Sequence, residues 1–220
     1  MNTQALARAA GAGTDVDSVA QSQPLAAGEE TDARGRPLQV LFVLNKLDVG
    51  GSERKVVRLV RRLHEKGVAV GIACLNGPHT LRSEVPSGVP LWHLGRKGRF
   101  SLGAAWRLRR IVVERRPATL VSVNLYPSLY VLSCAALVGA PRPRTVGLVN
   151  SSTFVQSFAR RSLYRALLPR LRATIHGSEA QRTSWFDRGA EAAQRSAVIY
   201  NGVDLAEFDR DSVREQAEAL

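Results

Sequence analysis

LQVLFVLNKLDVGGSERKVVRLVRRLHEKG (38–67) changes its hydrophobic period once, and that change decides the fold. Residues 38–44 are apolar but for Gln39, the pattern of a central parallel strand covered on both faces. Beyond Val49-Gly50-Gly51-Ser52 the period becomes helical: Val56, Val57, Val60 and Leu63 share one stripe. Arg54, Lys55, Arg58, Arg61 and Arg62 take the other side, and Gly67 ends the segment.

The same alternation repeats downstream. Strand-like runs fall at 68–75, 89–94, 119–123, 144–149, 173–178 and 197–200, with helical patterns at 101–116, 126–139, 153–172 and 179–189. Strands and helices alternating at this spacing predict an α/β fold with a mostly parallel, doubly wound sheet and helices on both faces. Ligands in such sheets bind at the carboxyl ends of strands. That rule selects the loops 45–53, 76–80, 124–128, 150–153 and 176–179.

The net charge of +12 is unevenly distributed. Residues 1–37 hold three Arg against five acids, and residues 204–220 hold two Arg against six. The basic excess therefore lies in the segment between, whose field suits an anionic lipid, a phosphorylated substrate or nucleic acid. No recognised nucleic-acid motif accompanies the charge, so nucleic acid is the least favoured of the three. Residues 1–37 are small, polar and rich in Gly and Ala, which predicts a disordered extension. Residues 38–203 form the expected domain, and 204–220 an acidic tail or the start of a linker.

Cys74 and Cys134 have no neighbours at metal-ligand spacing and read as buried thiols of a reducing compartment. The longest apolar stretch, LYVLSCAALVGA, is shorter than the ~20 residues that span a bilayer. The expected location is the cytoplasm, with the inner face of the membrane as an alternative.

Gly50, Gly51 and Ser52 close the first strand and open the first helix, with Ser52 as the expected N-cap. Glycines there allow a ligand close to the backbone, and a helix N-terminus attracts phosphate. The spacing matches neither a dinucleotide fingerprint nor a P-loop, so a structural turn and a ligand cradle both stay open. Asn150 and Ser151, with Ser152 and Thr153, read either as a helix cap or as a grip on sugar hydroxyls. His176, Ser178 and Glu179 present the same choice at another strand end, as do Asn124 and Tyr126. His64 and His93 have no partner at useful spacing. No catalytic triad, metal set or carboxylate pair emerges.

In SFARRSLYRALLPRLR the residues Phe158, Leu167, Leu168 and Leu171, with Phe154 upstream, outline an apolar face. Arg160, Arg161, Arg165, Arg170 and Arg172 flank it. Such a helix either lies on an anionic membrane or packs its stripe into the core with a solvated back.

Taken together, GGSER, the following xVVRLVRRLHEKG helix and SEAQRTSWFDRGA…VIYNGVDLAEF resemble the N-terminal half of retaining GT-B glycosyltransferases. More narrowly, from about Leu38 to Phe208 they resemble glycosyltransferase family 4. The resemblance implies a Rossmann-like domain, one half of a GT-B fold. It also implies transfer of a hexosyl group from a nucleotide-sugar to a small-molecule, glycan or lipid-linked acceptor, with retention and without a bound metal or cofactor. Gly50 and Gly51 resemble the loop near donor phosphates and acceptor, and Asn201-Gly202 the passage towards the interdomain hinge. Asn150 departs from the family, which often has His there. Donor binding in the family lies mostly in a second Rossmann-like domain with an E-x7-E segment. Glu207 and Glu215 match that spacing but fall in the tail, as a chance match. The expectation is an acceptor-binding half that needs a separate donor domain for catalysis. The alternative is a non-catalytic peripheral module for an anionic membrane or a phosphorylated ligand.

Overall fold

The computed structural model describes residues 37–98, 100–151, 157–186 and 191–202. The expected disordered extension (but for its last residue), the acidic tail with Glu207 and Glu215, and Ser152, Thr153 and Phe154 lie outside the described residues.

Seven strands form one sheet: β1 (Val40–Leu44), β2 (Val70–Cys74), β3 (Leu91–His93), β4 (Thr119–Val123), β5 (Arg144–Val149), β6 (Ala173–His176) and β7 (Ser196–Val198). Their order is β3-β2-β1-β4-β5-β6-β7, and every pairing is parallel. Among the described residues six α-helices accompany them: α1 (Gly51–Glu65), α2 (Leu102–Arg115), α3 (Leu125–Leu137), α4 (Phe158–Leu167), α5 (Glu179–Trp185) and α6 (Glu191–Gln194). The doubly wound parallel sheet expected from the alternation is the one observed.

The pleat of β1 shows why the run had to be continuous. Phe42 and Leu44 face one layer, where Val56, Val57 and Val60 of α1 close over them. Leu41 and Val43 face the other, against Leu108 and Val112 of α2 and Tyr130 and Val131 of α3. All of these side chains are buried, and each contributes roughly 1.5–3 kcal/mol when fully removed from water. A third cluster joins Tyr164, Leu167, Leu168 and Leu171 to Trp185, Phe186 and Val149.

Two local expectations change. The helix expected over 153–172 is α4 from Phe158, and it tightens into a 3-10 turn at Leu168–Arg170, where Pro169 sits. Phe158 is 85% exposed, so it does not belong to the buried stripe; Tyr164 fills that place. The stripe of Leu167, Leu168 and Leu171 does pack inward.

The sheet also fixes where a ligand would bind. From β1 the chain passes through α1 to β2 on one side, and later returns through α2 to β4 on the other. The strand order reverses between β1 and β4, which opens a crevice at their carboxyl ends.

Candidate functional site

The loop from Asn45 to Gly50 follows β1 at this end of the sheet and is tied down by several hydrogen bonds. Leu47 is fully buried, and its N–H donates to Pro78 O at 3.2 Å while its carbonyl accepts from Leu81 N at 3.1 Å. Asp48 Oδ1 accepts from Thr80 Oγ1 and from Val49 N, both at 2.8 Å, and Oδ2 pairs with Lys46 Nζ at 2.7 Å. The Lys46 contact, then those to Thr80 and Val49, hold the Asp48 carboxyl down at about 2. One carboxylate thus ties the glycine loop to the loop after β2.

The glycines themselves are not required by the backbone. Gly50 is extended, with φ −174° and ψ 154°, and Gly51 is the first residue of α1. Neither has the positive φ seen at Gly67, Gly95 and Gly98. A Cβ on Gly51 would meet nothing within 4 Å, and one on Gly50 would meet only the end of the Glu53 side chain. The turn reading therefore lacks its physical reason. The N-cap is Gly50 rather than the expected Ser52, and no side chain caps the helix. The first N–H groups of α1 are left without intrahelical acceptors, at the end where an anion is favoured.

Across the switch point stands Asn124, with φ 65° and ψ −168°. Its Oδ1 accepts from Asn150 N at 2.9 Å, and its carbonyl accepts from Ser128 Oγ at 2.7 Å. Asn124 and Asn150 therefore act as one unit that joins the ends of β4 and β5. Ser151 is anchored through its carbonyl, which accepts from Trp185 Nε1 at 2.8 Å.

Ser178 caps α5, its Oγ accepting from Gln181 N at 3.1 Å, while Gln181 Oε1 accepts from Gly177 N at 2.7 Å. This reciprocal arrangement is close to a capping box and gives Ser178 a structural job. Glu179 pairs with Arg182 on the same helix. His176 is wholly buried beneath the rim, its Nε2 3.1 Å from Thr174 Oγ1 and its ring edge-on to Phe186. Burial, then Arg182, push its pKa down to about 4, so it is neutral at physiological pH. Tyr126 packs on the α2–α3 layer, and the Arg96 guanidinium lies 4.8 Å from its ring centre.

The structure thus gathers Gly50, Gly51, Ser52, Asn124, Asn150 and Ser151 along one edge, with Gly177, Asn201 and Gly202 at its β6–β7 end. Arg160, Arg161 and Arg165 stand on α4, in the helical layer, and Arg172 is exposed beside β6. Cys74 and Cys134 are free and buried; burial pushes their thiols up to about 12 and about 11, so neither is a nucleophile near neutrality.

Sequence reasoning missed several residues of this edge. Asp48 was hidden as one acid in a loop. His93, read as unpartnered, sits 2.9 Å from His79 through Nδ1 and Nε2, a pairing made by the fold. Lys55 shares its spacing with the solvated arginines of α1, yet its Nζ is buried and without a partner, as are Asn45 Oδ1, Asn150 Nδ2 and Ser151 Oγ. Buried polar atoms are rarely left unpaired, which makes this edge the candidate for a binding surface.

The model of Glycosyltransferase Family 4 matches residues 49–207, most of the chain, and takes in the glycine pair and the rest of this edge. The protein belongs to glycosyltransferase family 4. No curated protein matches it significantly in sequence. Among solved structures, this family 4 chain is similar to Anabaena Alr3699/HepE in complex with UDP and glucose, at a TM-score of 0.65 and 15% identity. That match covers 83% of this chain and 50% of the other. A glycosyltransferase from Rickettsia africae ESF-5 follows, with a TM-score of 0.61 and 12% identity over 83% of this chain and 49% of that one. UDP-N-acetylglucosamine 2-epimerase from Rickettsia bellii is also similar, with a TM-score of 0.55 and 6% identity over 74% and 44%. At such identities the likeness is one of fold. The chain spans about half the length of these structures.

Proposed function

We propose that this chain is the acceptor-side half of a retaining glycosyltransferase that moves a hexosyl group from a nucleotide-sugar to a small-molecule, glycan or lipid-linked acceptor. The observation that carries the reading is the glycine pair at the switch point, in a chain of family 4. Its backbone needs no glycine, and its helix end is uncapped. What those glycines supply is space beside free N–H groups, which suits a ligand phosphate or hydroxyl. The nucleotide-sugar is a co-substrate, and no resident cofactor or metal has a role in this reading.

One sheet offers one wall of a cleft, whereas transfer needs donor and acceptor positioned together. The similar structures are about twice as long, which supports a second, donor-binding unit opposite the edge described above. The test is transfer from UDP-, GDP- and ADP-sugars, with the anomeric configuration of any product read by NMR. The isolated chain should bind acceptor without turnover, and addition of a donor-binding unit should restore transfer with retention. Turnover by the isolated chain would remove the need for a second wall, and an inverted product would remove retention.

A second reading rests on a separate observation. On the layer formed by α2, α3 and α4, Leu102, Trp106, Leu137 and Phe158 are exposed among arginines, including Arg160, Arg161 and Arg165. This surface suits peripheral contact with an anionic membrane at the cytoplasmic face. No helix among the described residues is long and apolar enough to cross a membrane.

A further inference from the structure

Lys55 lies near the start of α1, yet its Nζ touches neither solvent nor any hydrogen-bond partner. Its direction is fixed by Gly177: a Cβ built there would have Lys55 Nζ at 4.0 Å and Asn201 Oδ1 at 3.9 Å. The side chain therefore reaches from the helix after β1 to the loop after β6, across the crevice. Two unfavourable effects act on it. Burial strips water from the ammonium and pulls its pKa below the ordinary lysine value. The positive end of the α1 dipole adds repulsion. An anion in the crevice would reverse both.

Beside it the amide oxygens of Gln181 and Asn201 face the same point, Gln181 Oε1 already accepting from Gly177 N, and unpartnered donors stand further along the edge. Val149 and His176 are paired in register, so Asn150 stands beside Gly177 one residue past the strand ends. Asn150 Nδ2 and Ser151 Oγ are also buried without partners. An ammonium, an amide N–H and a hydroxyl are donors suited to an oxyanion, and no carboxylate pairs with Lys55 among the described residues.

We infer that Lys55, with Asn150 and Ser151 on the same edge, binds a phosphoryl group of the ligand that enters the crevice. This rests on the acceptor-side reading and deepens it: the ligand at this wall is phosphorylated. The group belongs either to the acceptor, as a phosphate ester, or to the diphosphate of the nucleotide-sugar.

The full chain is tested by thermal melting and calorimetry with inorganic phosphate, glucose 6-phosphate and UDP. Lys55→Met is compared with Lys55→Arg and with Lys66→Met, which removes the same charge at the exposed far end of α1. Without anion, Lys55→Met should melt at or above the wild-type temperature, because a buried unpaired charge is gone. Phosphate should raise the wild-type and Lys66→Met midpoints but not that of Lys55→Met, with affinity lost by about ten- to a hundredfold. Lys55→Arg should keep most of the binding. Stronger protection by glucose 6-phosphate assigns the group to the acceptor; stronger protection by UDP assigns it to the donor. Equal protection of wild type and Lys55→Met, or protection of neither by any probe, overturns the site. The two readings fail separately. If Lys55-dependent phosphate binding persists where no sugar is transferred even with a donor-binding unit present, glycosyl transfer falls and the site stands. If Lys55→Met leaves both transfer and phosphate binding intact, the site falls and glycosyl transfer stands.

Discussion

The N–H of Asn150 is held by Asn124 Oδ1 at 2.9 Å, and Asn124 offers that oxygen from a backbone with φ 65° and ψ −168°. Only glycine visits that region freely, and other residues are held there at a cost of about 1–3 kcal/mol. Asn124 is the first residue past β4, at the edge of the switch-point crevice. Strain of this kind persists where the surroundings over-determine it. Here the clamps are the Asn150 N–H and the Ser128 hydroxyl.

Two substitutions separate the strain from the bond. Asn124→Ala keeps the unfavourable backbone and strands the Asn150 N–H, so it should lower stability by about 1–3 kcal/mol. Asn124→Gly also loses the bond but relieves the backbone, so it should cost less than the alanine variant. Urea unfolding of both variants checks the order. A glycine variant less stable than the alanine one would show that the backbone there is unstrained.

The glycine pair can be tested against a glycine whose role is packing. A Cβ on Gly147 would lie 2.7 Å from Leu171 Cδ1, a buried side chain with little room to yield. Gly147→Ala should therefore destabilise by about 1–3 kcal/mol. Gly51→Ala meets nothing within 4 Å and lies in a helix, so its stability should be unchanged or slightly raised. If the loop is a cradle, Gly51→Ala nevertheless weakens ligand binding, seen as a loss of phosphate or acceptor affinity at an unaltered melting temperature. A Gly51→Ala protein that binds as wild type would return the loop to a simple connection.

The strand and helix pattern was legible because each layer of this fold needs its own period. The run 40–44 had to be apolar throughout, since Leu41 and Val43 face one set of helices and Phe42 and Leu44 the other. The carboxyl-end rule then found the loops. Individual side chains were harder to read, because their roles depend on where a neighbour from another loop stands. Lys55 has the same local pattern as Arg54 and Arg58, and only Gly177, 122 positions later, shows that it points into the crevice. His176 looked like a rim residue because it ends a strand, but the pleat turns it inward against Phe186. Phe158 matched the spacing of a stripe that α4 presents through Tyr164 instead.

Burial of His176 makes stability depend on pH in a definite direction. Its pKa is about 4 in the folded chain against 6.5 for the free group, so the unfolded chain binds the proton more readily. The stabilisation is complete above pH 6.5 and is lost progressively as pH falls towards 4. The loss from this one group is at most about 3 kcal/mol. His176→Phe keeps a ring against Phe186, and its unfolding free energy should fall less steeply than wild type over that interval. Parallel curves for the two proteins would mean that His176 is protonated equally in both states.

Leu102 is 79% exposed, Trp106 60% and Phe158 85%, and each is available to enter the headgroup region of a bilayer. Arg160, Arg161 and Arg165 on α4 would add about 1 kcal/mol each near an anionic surface. Co-sedimentation with vesicles should therefore rise with the fraction of phosphatidylglycerol and fall as salt shortens the Debye length. Replacing the three arginines by Gln should weaken binding roughly a hundredfold at low salt and much less at high salt. Replacing Leu102 and Trp106 by Ser should weaken it at both, because burial of apolar surface is not screened. Binding indifferent to lipid charge and salt would remove this surface from consideration and leave its arginines as a solvated back.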